Sequence, residues 1–185
     1  MANLKHSIVT RTGDAGRTRL FSGEEVEKDH PRTCAYGDLD ELVSLLGIAS
    51  AEVRSDSVRA QLRALQRQLF TIGTELATSA AQQQRLAVRI SHPQVAELDR
   101  ACAELEGRID MPNGFILPGG TAAAARIDHA RTVARRLERR VVGLVREGEV
   151  CNDQLIIWLN RLSDLLWLLA RDEEGELVLL KEAGA

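Results

Sequence analysis

Residues 127–144 read IDHARTVARRLERRVVGL, and their spacing decides the fold class. Ile127, Ala130, Ala134, Leu137, Val141 and Leu144 recur three and four apart, the period of one apolar helix face. Arg131, Arg135 and Glu138 repeat that spacing on a second face, roughly 90° away at about 100° per residue. The next apolar stretch has the same design. Leu155, Trp158, Leu159, Leu162, Leu166 and Leu169 form a core stripe, and Asn160, Asp164 and Trp167 share an adjoining face. Two such helices place a polar strip beside a packed seam, as a groove within one subunit or between subunits.

Around this pair the chain reads as helical throughout. Of its 185 residues 44% are apolar and only 3% aromatic, with Leu, Ala, Glu and Arg dominant and β-branched runs short, a helix-forming mixture. Five helices are expected, over about 34–54, 56–80, 92–108, from the Pro118 turn to 146, and 152–171. Pro93 suits a first turn and Asn152 an N-cap. Residues 80–91 (AAQQQRLAVRIS) read as a polar, mobile connection, and the tail EGELVLLKEAGA (174–185) as a short strand or an extended cover. The expected architecture is an all-α, five-helix bundle in an up-down, ferritin-like arrangement. It forms a single domain over 1–185, divided into an ordered N-terminal loop (1–33), the bundle (34–172) and a tail (173–185).

Composition excludes several classes. No apolar run reaches the eighteen or so residues of a spanning helix, and MANLKHSIVT has no signal-peptide core, so a cytoplasmic location is expected. Cys34, Cys102 and Cys151 are an odd, widely spaced set, which suits neither a disulfide framework nor a zinc site. A net charge of −3 speaks against a general nucleic-acid binder. Lys5, Lys28 and Lys181 are the only lysines among 24 basic residues. A GC-rich coding sequence explains most of that arginine bias, and the remainder suits bidentate phosphate binding. One E-x-x-H pair, Glu27 to His30, stands before a proline with no second copy, so a di-iron bundle is rejected.

The chemistry-bearing stretches lie before and between the helices. VTRTGDAGRTRLFSG (9–23) combines Gly13 and Gly16, free to take positive φ, with Thr10, Thr12, Thr18, Arg11, Arg17 and Arg19. Amides, hydroxyls and fixed cations converging on one point make a phosphate cradle, although the spacing is not that of a Walker A loop. A plain charged surface loop is the competing reading. RTVARRLERR contains one acid, Glu138, so its arginines need an anion or an outside carboxylate between them. Asp40, in YGDLDELVS, is a candidate carboxylate, although acids near a helix N-terminus need no partner. Phe115, in FILPGG, is either core or a wedge at a pocket mouth. Asn160 is mid-helix, where asparagine is mildly unfavourable unless it binds something.

Taken together, TRTGDAGRT, AYGDLDEL, FILPGGT, ARTVARRLERR and LNRLSDLLWLLAR, in this order, resemble the PduO-type ATP:cob(I)alamin adenosyltransferases across nearly the whole chain. The resemblance implies a homotrimer with sites between subunits. It implies transfer of the 5′-deoxyadenosyl group of ATP to the cobalt of cob(I)alamin or a related corrinoid, through a four-coordinate cob(II) intermediate, releasing triphosphate. Mg²⁺ would accompany ATP, with no side chain assigned to it. A cob(II)alamin reductase, and an acceptor enzyme for adenosylcobalamin, would be partners; a carrier that binds ATP and corrinoid with little turnover is the alternative. By position, Thr10, Arg11, Thr12, Gly13, Thr18, Arg19 and Lys28 match the family's nucleotide loop. Arg135, Glu138, Arg139 and Asn160 match its other ATP contacts. Asp40 and Arg131 match a carboxylate–arginine pair between subunits beside the corrin, and Phe115 matches the apolar wedge on the corrin's lower face. The chain departs from the family at Val43, at Asp128 where a histidine is usual, at Leu137, and in a tail without the usual aromatic residue, where Leu179 or Leu180 stands instead.

Overall fold

The computed structural model describes Val9 and residues 11–180; Thr10 lies outside the described residues. A hairpin of β1 (Arg17–Arg19) and β2 (Glu25–Glu27) precedes α1 (Pro31–Glu52), α2 (Asp56–Leu76), α3 (Ala80–Gln83), α4 (His92–Glu106), α5 (Ala122–Arg146) and α6 (Gln154–Glu174). The five long helices are those expected, and α3 adds a single turn. In the centre α5 lies between α1 and α6, with α2 packed on α1 and α4 on α6. Asp38 meets Arg140 while Glu52 meets Arg126, so α1 and α5 are antiparallel. Glu138 meets Asn160 while Asp128 meets Arg171, so α5 and α6 are antiparallel too. On the far side Gln68 of α2 accepts from Trp158 Nε1 at 2.8 Å and donates to Glu97 of α4 at 2.9 Å, closing the bundle. Both core stripes read from the sequence are fully buried, with Trp158 the largest side chain inside. Among the described residues no helix is long and apolar enough to cross a membrane.

Local chemistry sets the helix ends. The first helix begins at Pro31 rather than Cys34: proline takes the first turn, and His30 Nδ1 accepts the Arg32 amide at 3.2 Å. Ser55 and Thr121 cap α2 and α5, and Ser91 with Gln94 forms a capping box on α4. The last helix is shifted, covering Gln154–Glu174, with Asp153 at the N-cap. Asn152 does accept the Gln154 amide at 3.2 Å, but its amide nitrogen is turned inward, to Glu75 and the Ile90 carbonyl.

That inward turn belongs to a buried polar knot which ties the α2 end to the α5–α6 connection. Arg32 is 1% exposed and donates to the carbonyls of Leu76 (2.9 Å), Thr78 (2.7 Å) and Glu149, and to the Glu149 carboxylate (2.8 Å). Gln83 is buried beside it and donates to the carbonyls of Glu75, Thr78 and Glu149. The connection expected to be mobile is therefore anchored here, because α3 delivers Gln83 to carbonyls that helix ends leave without partners. Glu75 is fully buried, accepting from Ile90 N and Asn152 Nδ2, both at 2.7 Å. Burial raises its carboxyl pKa, against the opposing pull of those two donors and of Arg89.

Two outcomes follow from the knot. Arg32→Ala leaves several acceptors unpaired, and urea unfolding should show a loss of about 3–5 kcal/mol; Arg32→Lys recovers only part, since one ammonium cannot replace a fork of donors. A raised pKa means that the folded chain holds the Glu75 proton more tightly than the unfolded chain does. Its contribution is complete below the ordinary value of about 4.3 and fades as pH rises through the folded value. The stability of the wild type should thus fall relative to Glu75→Gln above about pH 4.3. Parallel pH–stability curves for the two proteins would disprove this.

Candidate active site

The N-terminal cradle folds as a hairpin, which the loop reading missed. Arg17 pairs with Glu27, Thr18 with Val26 and Arg19 with Glu25 across the ladder, and Arg17 also reaches the carboxylates of Glu25 (3.5 Å) and Glu27 (3.3 Å). Thr12, Gly13, Arg17, Thr18, Arg19 and Glu25 line a cavity of about 330 Å³. Gly16 takes a positive φ of 82° as expected, but Gly13 does not; Arg11 adopts φ 58° in its place. A Cβ at Gly13 would lie 2.9 Å from Lys28 Nζ, so the ammonium rests against the turn, next to the cavity lining.

The hairpin is seated on the knot. Phe21 N donates to the Ala77 carbonyl at 2.8 Å, and Ser79 N to Ser22 Oγ at 3.2 Å. The cradle therefore belongs to the Glu149 end of the bundle.

On α5 the arginines divide by partner. Arg136 pairs with Asp38 at 3.2 Å and with Glu41, and Arg140 with Asp38 at 2.5 Å. The carboxylate of α1 that reaches this helix is therefore Asp38; Asp40 is exposed on another face and makes no ion pair with Arg131 within the chain. Arg131 binds Asp128 at 3.1 Å instead. Arg135 and Arg139 are exposed, and among the described residues no carboxylate pairs with either; Arg135 donates only to Ser163 Oγ, at 3.3 Å. Asn160 Nδ2 donates to Glu138 Oε1 at 3.2 Å, setting amide and carboxylate beside these two guanidinium groups.

At the opposite end of α5, Phe115 is 83% exposed and outside the core. It stands at a cavity of about 440 Å³ whose other walls include Pro118, Asp128, Arg131, Trp167 and Arg171. The tail clasps this segment: Leu117 N donates to the Val178 carbonyl and Leu180 N to the Phe115 carbonyl, around an Ile116–Leu179 bridge. Beneath the turn, Glu174 Oε1 accepts from Gly119 N (3.2 Å) and Gly120 N (3.0 Å). The sequence reading did not single out Arg171 or Glu174. Their neighbours in sequence read as the end of a core helix, and nothing local shows that a turn 50-odd residues earlier returns to them.

A family model described as Cobalamin adenosyltransferase matches residues 8–173. The chain belongs to that family. It is 43% identical over 92% of its length to the corrinoid adenosyltransferase PduO of Salmonella typhimurium, of which it spans 50%. It is 38% identical to a Citrobacter freundii corrinoid adenosyltransferase, covering 91% of this chain and 96% of the relative. Among solved structures it is similar to a phenylalanine-to-histidine variant of a PduO-type ATP:corrinoid adenosyltransferase from Lactobacillus reuteri complexed with cobalamin and ATP. That likeness has a TM-score of 0.87 and 32% identity, covering 95% of this chain and 97% of the other.

Within this adenosyltransferase fold the Phe115 turn depends on glycine at 120, where a Cβ would meet Glu174 Cγ at 2.6 Å and the Glu176 carbonyl at 3.1 Å. Gly120→Ala should cost about 1–3 kcal/mol by overpacking. Gly143→Ala, on α5 with nothing within 4 Å, should instead be neutral or stabilise by up to about 1 kcal/mol. Thermal unfolding of the two variants checks the contrast.

Proposed function

We propose that the chain transfers the 5′-deoxyadenosyl group of ATP to the cobalt of a corrinoid, with the cradle and the α5–α6 face holding the nucleotide and the Phe115 pocket holding the corrin. The observation that carries this is Arg135 with Arg139, two neighbouring guanidinium groups without an ion pair on a helix whose Arg126, Arg131, Arg136 and Arg140 are each ion-paired. Among the described residues this leaves otherwise only Arg146, in the last turn, unpaired on α5. Such cations one turn apart repel unless an anion joins them, and the family supplies that anion as a triphosphate. Cob(I)alamin is itself the nucleophile. Its electron pair attacks C5′ to form the Co–C bond, the C5′–O5′ bond breaks, and the pair of that broken bond departs on the triphosphate oxygen. Arg135, Arg139, Thr12, Thr18, Lys28 and the cradle amides stabilise the charge growing there, joined by Thr10, Arg11 and Arg19 as their positions suggest. Phe115 excludes water and axial ligands from the lower face of the corrin, favouring cobalt without a lower ligand.

Distance within the chain supports assembly. Arg131, beside the Phe115 pocket, and Arg146, where α5 ends just before Glu149 below the cradle, are 15 residues apart, about 22 Å along the helix at 1.5 Å per residue. One subunit thus carries two partial sites at opposite ends. A homotrimer in which the cradle of one subunit meets the arginine face of the next would complete them, and would bring Asp40 to the neighbour's corrin pocket, where Arg131 lies. Mg²⁺ would arrive bound to the triphosphate and neutralise part of its charge. The cradle's one lining carboxylate, Glu25, is already paired with Arg17, so its hydroxyls, amides and cations suit phosphate oxygens rather than a bare ion. We read the chain as a single cytoplasmic domain, supplied with cob(I) by a reductase and handing its product to an acceptor enzyme.

The test is an anaerobic assay with ATP, Mg²⁺ and chemically reduced cob(I)alamin, read by visible absorbance. Conversion to adenosylcobalamin is expected, falling on the order of 100-fold in Arg135→Ala. Phe115→Ala should keep its ATP-dependent thermal shift while losing most turnover. A saturable spectral change without conversion would favour a carrier.

A further inference from the structure

We propose that Asp128 is a positioning residue that sets two walls of the Phe115 pocket at once, a role that rests on the function proposed above. Aspartate is a poor helix former, yet here it lies mid-helix with its side chain 6% exposed. Its Oδ1 accepts from Arg131 Nε at 3.1 Å, which fixes the guanidinium of one wall. Its Oδ2 accepts from Arg171 Nη2, and the Arg171 side chain is 1% exposed. Arg171 lies 5.2 Å over the centre of the Trp167 ring, a further wall, and its Nε stands 2.6 Å from Glu174 Oε2. Those last two atoms are buried and make no hydrogen bond, so charge alone links Arg171 Nε to Glu174, whose other oxygen accepts from the amides of Gly119 and Gly120. The resulting line runs Arg131, Asp128, Arg171, Glu174, turn. Cations and anions alternate along it, in a setting where a missing member leaves a buried charge uncompensated. Losing the Asp128 charge frees Arg131 from its partner, and it weakens the hold of Arg171 and Glu174 on the turn that carries Phe115. A carboxylate, with two acceptor oxygens, can serve two guanidinium groups at once.

Amide hydrogen exchange tests this without relying on activity. Asp128→Asn should speed exchange of residues 115–120 by about tenfold or more while leaving α2 unchanged. In the anaerobic assay the same variant should lose turnover on the order of 100-fold, as for a misplacement of about 1 Å. The ATP concentration at half-maximal rate should stay within about twofold. Because Asp128 acts partly through Phe115, the Asp128→Asn/Phe115→Ala double variant should lose at least about tenfold less than the product of the single losses. Should Asp128→Asn not fold, Asp128→Glu, which keeps the charge opposite Arg171 but displaces it by one methylene, carries the same readings. Unchanged exchange at 115–120, or losses that simply multiply, overturns the proposal. A wild type that makes no adenosylcobalamin, with faster exchange in the variant, ends the transferase reading and leaves the control of the turn standing.

Discussion

The seam of α5 between α1 and α6 is the constraint from which the rest of the molecule follows. Its α5 side begins with small residues, Ala123, Ala124, Ala130 and Ala134, all buried, and gives way to Leu137, Val141 and Leu144. Small side chains let helices approach closely, and the neighbours contribute Leu39, Leu42, Leu46, Leu159, Leu162 and Leu166. Once α5 is held on two sides, its remaining faces have fixed directions. The arginines cannot retreat from one another by rotating the helix, since rotation would expose the apolar stripe. Their charge has to be met by partners where they stand.

Those partners divide the helix into functional stretches. Asp38 and Glu41 of α1 take Arg136 and Arg140, which spends these two on holding helices together. Asp128 takes Arg131 and shares itself with Arg171, which ties the helix to the Phe115 turn. Arg135 and Arg139 are left facing outward with Ser163, Glu138 and Asn160 nearby. Cations left without an acidic partner among the described residues suit a polyanion, and on α5 these are Arg135 and Arg139, one turn apart, and Arg146 in the last turn. The hairpin at the far end has a similar economy: Arg17 is engaged by Glu25 and Glu27, while Gly13 makes room for the Lys28 ammonium.

Several readings changed for reasons of geometry. Pairing of α1 with α5 fell to Asp38 because that residue lies on the inner face, whereas Asp40, two residues on and about 200° around at 100° per residue, faces outward. The polar stretch after α2 became an anchored turn because Gln83 meets carbonyls left open by the ends of other elements. Positive φ moved from Gly13 to Arg11, and what lies against Gly13 is the end of the Lys28 side chain.

The sequence by itself determined the helical class, the five long helices and both core stripes. All of these rest on periodicity and composition along one segment at a time. Family resemblance, carried by five short motifs, was legible for the same reason. Only the tertiary structure decided which carboxylate meets which arginine, that Arg32 and Glu75 lie at the centre of a buried knot, and that Glu174 reaches back to Gly119 and Gly120. It also placed the N-terminal hairpin cavity and the Phe115 pocket at opposite ends of the bundle. These pairings join residues from about 50 to more than 100 positions apart, and no local period encodes them. Burial in a shared low-dielectric interior is what turns such neighbours into obligatory partners, and that interior exists only once the helices have packed.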